Sequence, residues 1–123
     1  MGLFKRKNKN YQFSPYNQKT NNRKDAPIIT SFDKINYVVI NQSSDDQLFD
    51  VCDRILSGHP VLVKFETIDI NDANKMLSFV SGVVYATEGK IIKIESRLFL
   101  MGRKEEFEDG SLYQYYEDLK SWF

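Results

Sequence analysis

The sequence predicts an α/β fold: a compact two-layer sandwich of order βαβαβββ, whose five-stranded mixed sheet carries two helices on one face, followed by a C-terminal amphipathic helix. Three observations predict it. Two β-branched runs between residues 37 and 65 are separated by a capped helical stripe. Three short apolar runs punctuated by glycine or charge lie between residues 83 and 101. A capping pattern at Ser111 precedes apolar residues at helical spacing. A chain of 123 residues with 41% hydrophobic content supports one ordinary domain and not two cores.

Tyr37-Val38-Val39-Ile40 is β-branched and aromatic, bounded by polar residues, and reads as a first strand buried on both faces. Ser44-Asp45-Asp46-Gln47 is a capping box that opens the first helix. Leu48, Phe49, Val51, Cys52, Ile55 and Leu56 then fall on one stripe, and Gly58 with Pro60 stops it. Val61 to Phe65 is the second strand. Asp69 or Asn71 caps a second helix with apolar positions Ala73, Met76, Leu77 and Val80. Gly82 is expected to end that helix, because glycine inside it costs about 1 kcal/mol against alanine. Val83 to Thr87 then favours a third strand, Glu88-Gly89 a hairpin turn, and Lys90 to Ile94 a fourth strand. A reversal at Glu95-Ser96-Arg97 leads into Leu98-Phe99-Leu100-Met101.

Alternate strand residues face opposite sides of a sheet. Ile92 and Ile94 therefore oppose Ile91, Lys93 and Glu95, while Leu98 and Leu100 oppose Phe99 and Met101. If the first set lies under the helices, Ile91, Phe99 and Met101 point outward, and a mixed apolar and charged face of that kind suits a second copy of the chain. The C-terminal pattern Ser111-Leu112-Tyr113-Gln114, with Tyr115, Tyr116, Leu119 and Trp122, predicts a third helix whose apolar face docks on its own core or on a dimer mate. The expected organisation is a basic segment 1–9, a flexible linker 10–27, a core domain 28–102 and a helical extension 103–123.

The chain is neutral overall but polarised, with +6 over residues 1–26 balanced by −6 over the rest. No apolar run approaches the roughly 18 residues of a membrane span. Leu3-Phe4 is too short for a secretory signal, and Arg6 stands where a myristoylation signal needs Ser or Thr, so a cytoplasmic location is expected. Leu3 and Phe4 followed by Lys5, Arg6, Lys7 and Lys9 suit weak contact with an anionic membrane surface, strengthened by avidity in an oligomer. The same residues equally suit a solvated arm or a nonspecific nucleic-acid contact.

The residues offer no positive argument for an enzyme. Cys52 lies on the apolar side of a helix and reads as a buried structural thiol. His59, the single histidine, has no partner at ligand spacing, so neither a metal site nor a cofactor is expected. Asp46, Asp50 and Asp53 share a helix face that reads as solvated. The six glycines are scattered singly and form no phosphate loop.

Residues 37–101 resemble the SepF family of bacterial cell-division proteins. The resemblance rests on Val61-Leu62-Val63 leading to Asp72-Ala73, on Phe79-Val80-Ser81-Gly82-Val83-Val84-Tyr85-Ala86, on Gly89 and on Phe99-Leu100. It implies a non-enzymatic cytoplasmic dimer that polymerises, touches the membrane through its N-terminal segment at the division site, and binds the C-terminal tail of the tubulin-like protein FtsZ. By the same resemblance, Lys93 and Phe99 contact the FtsZ tail, and Gly82 and Phe99 lie at the dimer interface, where the expected outward parity of the last strand also puts Met101. Nucleic acid is not an expected partner on this reading; the alternative is a small α/β module binding peptide or nucleic acid through its basic arm. The N-terminal segment is short for the family, the proline that often follows the last strand is missing, and residues 103–123 fall outside the resemblance.

Overall fold

The computed structural model describes residues 28–122; the predicted basic segment 1–9, the linker 10–27 and Phe123 lie outside the described residues. The elements are β1 (Asn36–Ile40), α1 (Asp45–Leu56), β2 (Val61–Phe65), α2 (Ile70–Ala86), β3 (Lys90–Glu95), β4 (Leu98–Gly102) and α3 (Ser111–Lys120). Short 3-10 turns at Phe32–Lys34 and Lys104–Phe107 flank the sheet. The described strands form one four-stranded sheet in the order β1-β2-β4-β3. β1 and β2 run parallel, joined through α1, and β4 pairs antiparallel with both β2 and β3.

The expected third strand, Val83 to Thr87, is absent because α2 runs through Gly82 and absorbs it. Ala73, Met76, Val80 and Val84 recur at helical spacing and are all buried. Packing of that continuous stripe outweighs both the strand preference of the valines and the glycine penalty of about 1 kcal/mol. Helix α2 ends later. Glu88 adopts φ 58°; the Glu88 N–H donates to the Tyr85 carbonyl at 2.9 Å and the Gly89 N–H to the Val84 carbonyl at 2.8 Å. This pair is a Schellman stop, so Glu88-Gly89 terminates a helix and does not turn a hairpin. Gly89 is required at this point for space: a Cβ there would collide with the Gly102 carbonyl oxygen on the neighbouring strand.

Ser44 caps α1 by accepting the Gln47 N–H at 3.4 Å, but the reciprocal half of the box is replaced, since the Gln47 side chain donates to Asn41. Leu48, Val51, Cys52 and Ile55 are buried, whereas Phe49 and Leu56 stay exposed, so the core-facing stripe is narrower than predicted. Asp69 caps α2 through the Asn71 N–H. At α3 the expected cap by Ser111 is also displaced: Gly110, at φ 80°, is the cap residue, and Ser111 bonds back to Asp109.

The parity of the last strands is as read, but the faces are exchanged. Ile91, Phe99 and Met101 join Ile40, Val61, Val63 and Phe65 beneath α1 and α2. Phe99 is 8% exposed and Met101 1%, so both belong to the core and not to an outward face. The opposite set, Leu62, Ile92, Ile94, Leu98 and Leu100, packs with Phe107, Leu112 and Tyr115. Helix α3 therefore docks on its own sheet, turning the expected two layers into a partial third.

The extension is fastened to the segment before β1. The Glu106 carboxylate, 1% exposed, pairs with Lys34 at 2.8 Å and Arg103 at 2.7 Å. Asp109 accepts the Ser31 N–H at 2.9 Å, the Phe32 N–H donates to the Ser111 hydroxyl at 3.0 Å, and the Phe32 and Tyr115 rings meet edge to face.

Candidate functional site

β3 is an edge strand whose outer backbone groups have no partner strand among the described residues, and such an edge is a template for an added strand. Lys93 sits at its middle, exposed, directly opposite Phe99 in the β3–β4 register. Among the described residues it forms no salt bridge. The register slips between Lys93 and Glu95, and an irregularity of this kind twists an edge strand and re-aims its side chains. Phe99 lies beside Lys93 across the ladder, on the same sheet face, with its ring edge to face against Phe65, centroids 6.0 Å apart. The structure thus brings Lys93 and Phe99 together as cross-strand neighbours, one presented to solvent and the other packed in the core. Met101, two residues on, faces the same core beside Ile91 and Val61.

Gly82 occupies a different surface. It lies on the exposed side of α2, where an added Cβ would meet nothing within 4 Å. Phe79, one turn before it, and Tyr85, one turn after it, are both exposed, and Phe79 stacks against Phe49 of α1 at 5.9 Å. This is an apolar ridge with a gap at its centre. The expected membrane-contact residues Leu3, Phe4, Lys5, Arg6, Lys7 and Lys9 lie outside the described residues.

Sequence reasoning missed a groove on the α3 side of the sheet, lined by Tyr37, Leu62, Lys64, Glu95, Leu98 and Tyr115. Burial, and then the neighbouring Tyr37, pushes the Tyr115 hydroxyl above its ordinary value. The signal was present in Tyr37 and Lys64, whose parity places them on one face, but it required knowing which face α3 covers.

No group of three potential metal ligands comes together among the described residues. Burial, with a further push from Asp53, raises the Cys52 thiol away from its reactive form. Asp50 is engaged by Arg54, whose Nε approaches both carboxylate oxygens at 3.0 to 3.1 Å. No described helix is long and apolar enough to cross a membrane.

Comparison with known proteins gives a consistent answer. A family model described as "Cell division protein SepF" matches residues 37–101, just over half of the chain. The chain is 31% identical over 84 residues to a cell division protein SepF of Lachnoclostridium phytofermentans, an alignment covering 68% of this chain and 41% of that protein. It is 31% identical over 75 residues to the protein of that name from Ruminiclostridium cellulolyticum, covering 61% and 48% respectively. The match to the one from Limosilactobacillus reuteri is 31% identical and covers 63% of each. The chain spans about half the length of several of these curated relatives.

Proposed function

The chain belongs to the SepF family of cell-division proteins, and from that premise we propose that it is a non-enzymatic adaptor of the division septum. It binds the C-terminal tail of FtsZ, helps assemble or align FtsZ filaments, and links them to the inner face of the cytoplasmic membrane, working without a cofactor. The observation that carries the tail-binding role is the exposed Lys93, without a salt bridge among the described residues, at the centre of an edge strand with no outer partner strand among them, beside Phe99 across the ladder. An extended peptide adds to such an edge through backbone hydrogen bonds, and a lysine beside it selects carboxylates. Phe99 acts from the neighbouring strand, by fixing the shape of the β3–β4 pair on which Lys93 stands.

Self-association uses the exposed face of α2. Burying Phe49, Phe79 and Tyr85 against a second copy removes apolar surface from water, and Gly82 permits close approach of the two helices. A homodimer of this kind extends into a polymer if a second face is also used. Phe99 and Met101, being buried, contribute to such contacts by supporting the sheet and not by touching the mate. Leu3, Phe4, Lys5, Arg6, Lys7 and Lys9 supply a weak anionic-lipid contact that becomes effective when several copies act together.

Pelleting with FtsZ polymers tests the reading. The protein is expected to co-sediment with full-length FtsZ and to remain in the supernatant with FtsZ lacking its tail. Equal pelleting with both would return the chain to the class of general α/β binding modules.

A further inference from the structure

A second groove, distinct from the Lys93 edge and the Gly82 face, lies where the segment before β1 meets α3. Phe32, Tyr115, Leu119 and Trp122 supply its apolar walls and Asp118 its charge, around a cavity of about 470 Å³. That volume falls in the range of pockets that enclose small ligands, roughly 300–1,000 Å³. It suits aromatic side chains carried on an extended segment. Trp122 is 76% exposed and Phe32 47%, so two large aromatic groups stand open at its rim.

Charge and chain connectivity select an occupant. Asp118 lines the groove, and Asp33 adjoins Phe32 of its wall in sequence. The neighbouring cations are engaged: Lys34 with buried Glu106 at 2.8 Å, Lys120 with Glu117 at 3.4 Å and over the Tyr116 ring. The site therefore favours a basic, aromatic segment and disfavours an anionic lipid surface. Such a segment is covalently at hand. Residues 1–27 join the described domain at Ile28, immediately before Thr30 and Phe32 of the groove wall. They hold Tyr11, Phe13 and Tyr16 followed by Lys19, Arg23 and Lys24. A short connection makes the loop-closure cost small.

We propose that the groove between Phe32 and α3 receives the chain's own segment 11–24, with its aromatic side chains against Trp122 and Tyr115 and its cations toward Asp118. The extension 103–122 then has a role of its own, holding the arm that leads to residues 1–9 against the domain.

Trp122 is the single tryptophan of the chain and stands in the groove, so its fluorescence reads the site directly. The experiment compares the full chain with its Tyr11→Ser/Phe13→Ser/Tyr16→Ser variant and with Asp118→Lys, exciting tryptophan selectively and titrating acrylamide. Far-UV circular dichroism confirms that each variant is folded. The expected result is protected, blue-shifted emission in the full chain, lost in both variants and also in 1 M salt, where the Debye length falls to about 3 Å. Equal emission and equal quenching in the three proteins would overturn the proposal. Protection that disappears on dilution would overturn it in favour of a second copy's arm. Protection appearing only with phosphatidylglycerol vesicles would overturn it in favour of a membrane contact.

Discussion

Lys93 and Phe99 are register partners across the β3–β4 ladder, yet one is exposed and the other is 8% exposed. Substitutions at the two positions therefore do different things to the protein. Lys93→Ala removes a surface charge and is expected to change stability by no more than about 0.5 kcal/mol. Phe99→Ala empties a core position and is expected to cost roughly 3–5 kcal/mol. Urea denaturation of both variants checks this. If they prove equally stable, Phe99 is not seated in the core as described. Loss of FtsZ binding in Lys93→Ala would thus be the interpretable result, with Phe99→Leu the milder probe of the position across the ladder.

Gly82 has helical backbone and open space around it, so Gly82→Lys is expected to leave the fold intact, gaining up to about 1 kcal/mol from helix propensity. The same change sets a long charged side chain in the gap between Phe79 and Tyr85 and is expected to shift sedimentation toward the monomer. An unaltered sedimentation profile would remove the α2 face as the self-association surface.

At Gly89 the constraint is contact with the Gly102 carbonyl. Gly89→Ala forces β3 and β4 apart where they begin to pair and is expected to cost roughly 1–3 kcal/mol, the range for overpacking. A denaturation midpoint equal to wild type would show that the strands have room to spare.

Glu106 ties the C-terminal extension to Lys34 and Arg103 from a position 1% exposed. Its replacement by Gln keeps the shape but not the charge, and losing a charged hydrogen-bond partner is expected to cost roughly 1.5–3 kcal/mol. The checking observation is hydrogen exchange, in which protection over α3 should fall before protection over β2. Uniform loss across both would mean that the extension is not a separable layer.

Asp109 gives the same junction a pH dependence. Hydrogen bonds from the Ser111 N–H, the Ser31 N–H and the Ser111 hydroxyl hold its carboxyl below the ordinary value of 3.8. A carboxyl lowered in the folded state contributes stability that is fully present above the unfolded value and is lost as the pH falls through the folded one. Thermal midpoints of wild type and Asp109→Asn should therefore differ most near neutrality and converge in acid below about 3.8. A constant difference across that range would contradict the assignment.

Much of this architecture is legible in local sequence, and the failures share a cause. Ser44, Asp69 and the Gly58 stop mark helix ends by short-range hydrogen bonding and backbone conformation, which sequence records directly. Val83 and Val84 read as strand because their strand preference is local, while the core decides the outcome, with Val84 continuing the Ala73–Met76–Val80 stripe. Phe99 and Met101 were assigned the wrong face for a related reason. Parity tells which residues share a side, but both sides of this sheet are apolar. Choosing between them requires knowing that α3 covers Leu62 and Leu100. Lys93 was legible as a candidate through resemblance alone, since nothing in its own neighbourhood separates it from a solubilising lysine.

The proposed adaptor role rests on recognition of the FtsZ tail at the β3 edge. The most direct measurement is calorimetric titration of the full chain with a peptide of the host's FtsZ C-terminal tail, repeated with Lys93→Ala. Binding at micromolar affinity or tighter, substantially weakened in a variant as stable as wild type, is the predicted result. A folded, self-associated protein that releases no heat with the peptide, or that binds it equally well without Lys93, would contradict the adaptor role at this site.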